Sequence, residues 1–198
     1  MKRLFNPGAA ALAIVSMLAI AESASAHPGH GTAGFLPGVI HPLTGIDHIA
    51  AMVAVGLWAT QLGKRAIWMV PTAFVVMMIM GAGLAFAGLR IPFVEQGIAA
   101  SILVLGLLIV FAMRMPVAAG MALVGLFAIF HGWAHGSEMH PEASALAFGC
   151  GFVLSTIALH AVGIALGILL AKARQKVWVR LTGLSLVGCA ALLFAGVL

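Results

Sequence analysis

His41-Pro42-Leu43-Thr44-Gly45-Ile46-Asp47-His48 stands at the head of an apolar run, Ile49 to Ala59, that holds no charged residue. On one continuous helix, spacings of three, four and seven return to the same face, so His41, Thr44, His48 and Met52 are expected on one stripe. Asp47 then falls about 100° from His48. In water this would be an ordinary polar patch. Within a bilayer each ionisable group costs about 2.5 to 3.5 kcal/mol and calls for a partner, a watery cavity or an ion.

A partner closes a later apolar run: Phe130-His131-Gly132-Trp133-Ala134-His135-Gly136-Ser137-Glu138. His131 and His135 are one helical turn apart and Glu138 follows three residues on, a spacing at which two imidazoles can clasp one transition-metal ion. A single His in a membrane helix is more often a packed or hydrogen-bonded residue than a ligand. Here, however, the whole chain has only eight His and five Asp or Glu, and much of that stock falls in these two segments.

Composition sets the solvent. The 198 residues are 63% hydrophobic and 8% charged, with a mean hydropathy of +1.18. Soluble domains carry close to a quarter charged residues, so an all-α integral membrane protein of one domain is expected. No long polar segment leaves room for a soluble catalytic or nucleic-acid-binding module, and the formal charge of +5 must be read through topology. The expected surroundings are lipid, with no nucleic-acid partner.

Residues 1–26 read as a secretory signal peptide: Lys2 and Arg3, an apolar core from Ala9 to Ala21, and Ala24-Ser25-Ala26 as the cleavage site. The alternative is an uncleaved first helix. Cleavage would start the mature domain, 27–198, at His27 and put that end in the periplasm of a bacterial inner membrane. His27 and His30 could then hold a metal loosely at the entrance. A polar tail is an equal alternative.

Six apolar runs follow, at about 36–60, 66–88, 94–113, 116–136, 142–171 and 177–197, each long enough to span a bilayer in about 20 residues. Lys64, Arg65, Arg114, Lys172, Arg174, Lys176 and Arg180 fall in the loops of one side and Arg90 alone on the other. The positive-inside rule assigns the first group to the cytoplasm. His41, Asp47, His48, His131, His135, Glu138, Glu95, His140 and Glu142 then belong to the outer half, and His160 lies deeper. Gly81 and Gly83, Gly149 and Gly151, and Gly183 and Gly188 are expected to let helices approach closely. Gly132 and Gly136 are expected to permit local unwinding beside the ligands. Cys150, Cys189 and the Met77, Met78, Met80 group are expected to pack in the core. No CxxC, P-loop or dinucleotide-binding pattern occurs.

The pair of motifs, His41-x5-Asp47-His48 and Phe130-His131-Gly132-x-Ala134-His135-Gly136-x-Glu138, resembles the HupE/UreJ family of nickel/cobalt permeases, and the resemblance runs over essentially the whole chain. It implies secondary uptake of Ni²⁺, sometimes Co²⁺, supplying cytoplasmic hydrogenase or urease maturation proteins. It carries over His41, Asp47, His48, His131, His135 and Glu138 as functional residues.

Imidazole and carboxylate suit Ni²⁺, Co²⁺ and Zn²⁺, whereas Cu(I) prefers sulfur. A divalent ion crossing an inside-negative potential gains about 4.6 kcal/mol per 100 mV, enough for accumulation without ATP. The residues thus favour a transporter with no resident prosthetic group. His27, His30, His135 and Glu138 would gather the ion, and His41, Asp47, His48 and His131 would form a central site. The rival is an intramembrane metalloenzyme or haem protein using the same His residues, with Glu138 as a general base. No HExxH or nucleophile motif speaks for it.

Overall fold

A computed structural model describes residues 34–139, 145–174 and 176–198. The expected signal peptide over residues 1–26, and His27, His30, His140 and Glu142, lie outside the described residues. Seven helices are present among them and no strand: α1 (Phe35–Thr44), α2 (Ile46–Leu62), α3 (Ala66–Phe86), α4 (Val94–Val110), α5 (Val117–Glu138), α6 (Ala145–Lys172) and α7 (Lys176–Phe194).

The expected continuous helix over 36–60 does not form. It breaks at Gly45 into α1 and α2, which meet at 84°. The cause is local. Gly45 adopts an extended conformation, φ −90° and ψ 120°, that ends one helix and starts the next, whereas Pro42 lies inside α1 without ending it. The Thr44 hydroxyl donates to the carbonyl of His41 at 2.8 Å, which satisfies one group freed by the break. His41 and His48 therefore do not share a helical stripe.

The second helix is the axis of the bundle. Every residue from Ala50 to Ala59 is buried, and α2 touches each of the other six helices. Small side chains at Ala50, Ala51, Ala54, Gly56 and Ala59 let neighbours close in from all sides. Gly56 lies against the carbonyl of His160, and Gly163 of α6 lies against the carbonyl of Val53, so each backbone fills the space the other's glycine leaves. The long α6 holds both halves of the broken span, since Ser155 also donates to the carbonyl of Val39 at 2.6 Å.

Polarity is inverted relative to a water-soluble domain. Leu146, Trp68, Leu154, Ile157 and Ile79 are exposed, whereas His48, Ser101, His131, His135, Ser155, Thr156, His160 and Thr182 are buried. An apolar exterior, with the few polar side chains of the spans set inside an otherwise apolar core, is the arrangement that lipid favours. Four described helices (α3, α5, α6 and α7) are long and apolar enough to cross a membrane; the bent α1–α2 pair would be a fifth, and α4 is a shorter apolar helix. The protein is an all-helical membrane protein.

Two tryptophans mark opposite ends. Trp58 Nε1 donates to Met113 O at 3.3 Å, which brings the Lys64–Arg65 turn to the same end as Arg114. Trp133 Nε1 donates to Leu89 O at 2.6 Å and ties the Arg90 loop to the other end, beside His135.

Several packing expectations need correction. The fourth apolar run is an unbroken helix through Gly132 and Gly136, which do not unwind it. Instead they admit α3: a Cβ on Gly132 would overlap the carbonyl of Met78, and one on Gly136 would lie 2.8 Å from Ala82 Cα. Gly81, Gly151 and Gly183 mark close approaches, but Gly83, Gly149 and Gly188 face open space. Cys150 is exposed and Cys189 half-buried, so the first is not a core residue. Of Met77, Met78 and Met80 only Met78 is buried; Met77 is half-buried and Met80 exposed.

Candidate metal centre

The break at Gly45 and the C-terminal end of α5 bring His41, Asp47, His48, His135 and Glu138 together. His41 Nε2 lies 3.1 Å from His135 Nδ1, and Glu138 Oε2 lies 3.6 Å from each of those nitrogens. Three donors bound at about 2.1 Å sit about 3.0 Å apart around an octahedral ion and about 3.4 Å apart around a tetrahedral one, by simple geometry from ordinary bond lengths. The edges of 3.1, 3.6 and 3.6 Å are close to that facial triangle. His135 is buried, His41 half-buried and Glu138 exposed, so the triangle opens outward.

Inward of the triangle, Nε2 of His135 meets Nε2 of His48. Asp47 Oδ1 accepts from the backbone N–H of His48 at 2.9 Å and lies 2.7 Å from His48 Nδ1. An ionised carboxylate only accepts, so the proton belongs on Nδ1 and the lone pair on Nε2. The carboxylate thereby fixes both the tautomer and the orientation of the ring, as carboxylates do for metal-binding imidazoles. His135 consequently has one nitrogen at the outer triangle and the other at His48. The Phe152 ring lies 4.4 Å from the His135 ring, with Phe148 5.8 Å from His41, and together they wall the cluster on the α6 side.

His131 stands apart from the triangle. Its ring lies 5.5 Å from that of His48, and its Nε2 lies 3.1 Å from Ser101 Oγ. Sequence reasoning put His131 at the centre and His135 at the rim; in space His135 is the ring that contacts both His41 and His48. His160 is separate again, packed on Phe74 at 5.1 Å. Glu95 is exposed in the first turn of α4. Phe148, Phe152, Ser101 and Phe74 were not singled out from the sequence. An aromatic pair one turn apart and a lone serine in an apolar helix were the available signals.

An open groove of about 730 Å³ between α3, α5 and α6 reaches His135, but its lining is almost wholly apolar, from Met78 and Ile79 to Leu154 and Ile157. It suits hydrocarbon and not a hydrated ion.

No solved structure matches the chain. A curated relative, Protein HupE of Rhizobium leguminosarum bv. viciae, is 43% identical over 164 residues, covering 82% of this chain and 86% of the relative. The family model described as HupE / UreJ protein matches residues 15–193, which takes in every element from α1 to α6 and nearly all of α7. With both motifs inside that match, the chain belongs to the HupE/UreJ family.

Proposed function

We propose that this protein carries divalent transition-metal ions, Ni²⁺ before Co²⁺ or Zn²⁺, from the periplasm to the cytoplasm without ATP. The observation that carries the reading is the His135 imidazole, shared between an outward triangle with His41 and Glu138 and an inward contact with the Asp47-oriented His48. An ion enters at the triangle, where a carboxylate supplies charge and the rim is open to water. It then exchanges to the His48 side of the same ring. Ligands divided between separate helices can part, which a site for passage needs, because binding that is too tight stops conduction.

In this reading the chain spans the bacterial inner membrane six times after a cleaved signal peptide over residues 1–26. The basic turns face the cytoplasm and the His cluster faces the periplasm. His27 and His30 collect ions at the new N-terminus. The ion is cargo, not a prosthetic group, and cytoplasmic nickel-accepting maturation proteins receive it.

The test is flux into proteoliposomes under an inside-negative potential, comparing Ni²⁺, Co²⁺ and Zn²⁺, with His48→Ala alongside. Potential-dependent Ni²⁺ entry that the variant loses is the expected result. Metal bound without entry of any of the three would overturn transport in favour of a metal-holding protein.

A further inference from the structure

Beneath the rim lie two imidazoles whose nitrogens are not accounted for. The Ser101 hydroxyl donates to the carbonyl of Ile98 at 2.6 Å, so its only proton is committed and its oxygen must accept from His131 Nε2. That leaves His131 Nδ1 a bare lone pair, fully buried and without a partner among the described residues. His160 is 2% exposed, and neither of its ring nitrogens has a partner among the described residues. Both rings rest on Phe74, at 5.6 Å and 5.1 Å between centroids.

A buried polar atom left unpaired costs about 1 to 3 kcal/mol, and a bundle in lipid has little water with which to relieve it. Three such nitrogens around one phenyl ring are not the choice of a packing core, where Leu or Phe would serve better. Weak donors surround them. Thr156, one turn before His160 on α6, donates to Phe152 O at 3.0 Å and lies 3.9 Å from the sulfur of Met78. Its oxygen lone pairs and the thioether are spare.

We propose that His160, with the free nitrogen of His131, forms a second station for the divalent cation, deeper in the bundle than the His41–His135–Glu138 triangle. Phe74 is the apolar ring the ion must displace to move between His131 and His160. This rests on the permease reading and extends it to a residue outside both motifs.

The test uses full-length protein in proteoliposomes with Ni²⁺ as the probe, reading equilibrium binding and flux separately. His160→Leu is expected to keep Ni²⁺ binding at the rim within about twofold while flux falls at least about tenfold, the order seen when a metal-supporting group is lost. His160→Cys, which restores a ligand of different shape, is expected to recover much of the flux. Wild-type flux in His160→Leu would overturn the proposal. So would equal loss in both variants, since that is the signature of packing. Should His160→Leu fail to assemble, flux in His160→Cys matched against His160→Ser, similar in size and a poorer ligand, decides in the same way. A wild-type protein that moves no Ni²⁺ would instead defeat the permease reading, and that result appears in a different arm.

Discussion

Asp47 Oδ1 lies 2.7 Å from Nδ1 of its neighbour His48 and 2.9 Å from the same residue's backbone nitrogen. One carboxylate oxygen thus satisfies a first-turn N–H of α2 and sets the imidazole's tautomer. Asp47→Asn keeps the shape and removes the charge that holds the proton on Nδ1. Nickel affinity is predicted to fall about 10- to 100-fold, the range for loss of such a supporting carboxylate. Equilibrium binding to purified protein checks this; unchanged affinity would reduce Asp47 to a helix start.

Gly45 is needed for space and not for backbone freedom. Its φ of −90° suits any residue, but a Cβ there would lie 2.6 Å from His48 Nδ1 and 2.7 Å from Asp47 Oδ1. Gly45→Ala is predicted to separate that pair and to lower flux about tenfold. Gly83→Ala, which meets nothing within 4 Å, should transport as wild type.

Gly132 tests packing instead. A methyl group there collides with the carbonyl of Met78, which a flexible side chain cannot relieve. Gly132→Ala is predicted to destabilise the α3–α5 pair by about 1 to 3 kcal/mol, the usual cost of overpacking. Thermal unfolding in detergent would show it, and an unchanged midpoint would mean the two helices are less tightly seated.

The three donors of the triangle differ in exposure, which sets how each variant should behave. His135 is 5% exposed and serves both neighbours, so His135→Ala is predicted to abolish Ni²⁺ binding. Glu138 has a side chain 63% exposed, and water can replace it as a ligand. Glu138→Gln should weaken capture by about tenfold or less and leave the later steps intact, visible as a higher half-saturating concentration with the same maximal flux.

Acidity should oppose binding. A protonated imidazole has no lone pair to offer, so protons and Ni²⁺ compete for His41, His48 and His135. Binding is predicted to weaken progressively on acidification, because each proton taken up by a ligand imidazole must be released before the ion can bind. A titration of Ni²⁺ affinity between pH 5 and pH 8 reads this directly, and an affinity that rises on acidification would exclude neutral imidazoles as the ligands.

The membrane class, the helical architecture and the two His-bearing segments that meet in space were legible because composition and charge placement are strong signals in a chain with so few polar residues. The break at Gly45 was not, although Pro42 and Gly45 carried the warning. Periodicity run through both residues assumed a continuity that holds at Pro42, which lies inside α1, and fails at the extended Gly45. The same assumption, reversed, led Gly132 and Gly136 to be read as sites of unwinding. Glycine in a membrane helix can either loosen the chain or admit a neighbour, and only the identity of the neighbour, here Met78 and Ala82, decides. Likewise His131 and His135 look equivalent in sequence. They differ because His135 is level with His41 and His48, while His131 is level with Ser101.

The axial position of α2 has a consequence for how the molecule is made. A ribosome finishes α2 early, yet the helix that grips it most closely, α6, and the ring that completes its cluster, His135 of α5, come far later; His41 and His135 are 94 positions apart. Until they arrive, Asp47 and His48 have no tertiary partner in the membrane beyond each other. Assembly of the ion site is therefore among the last events of biogenesis. A nascent chain halted before α5 would hold the first motif without the residues that make it a binding place.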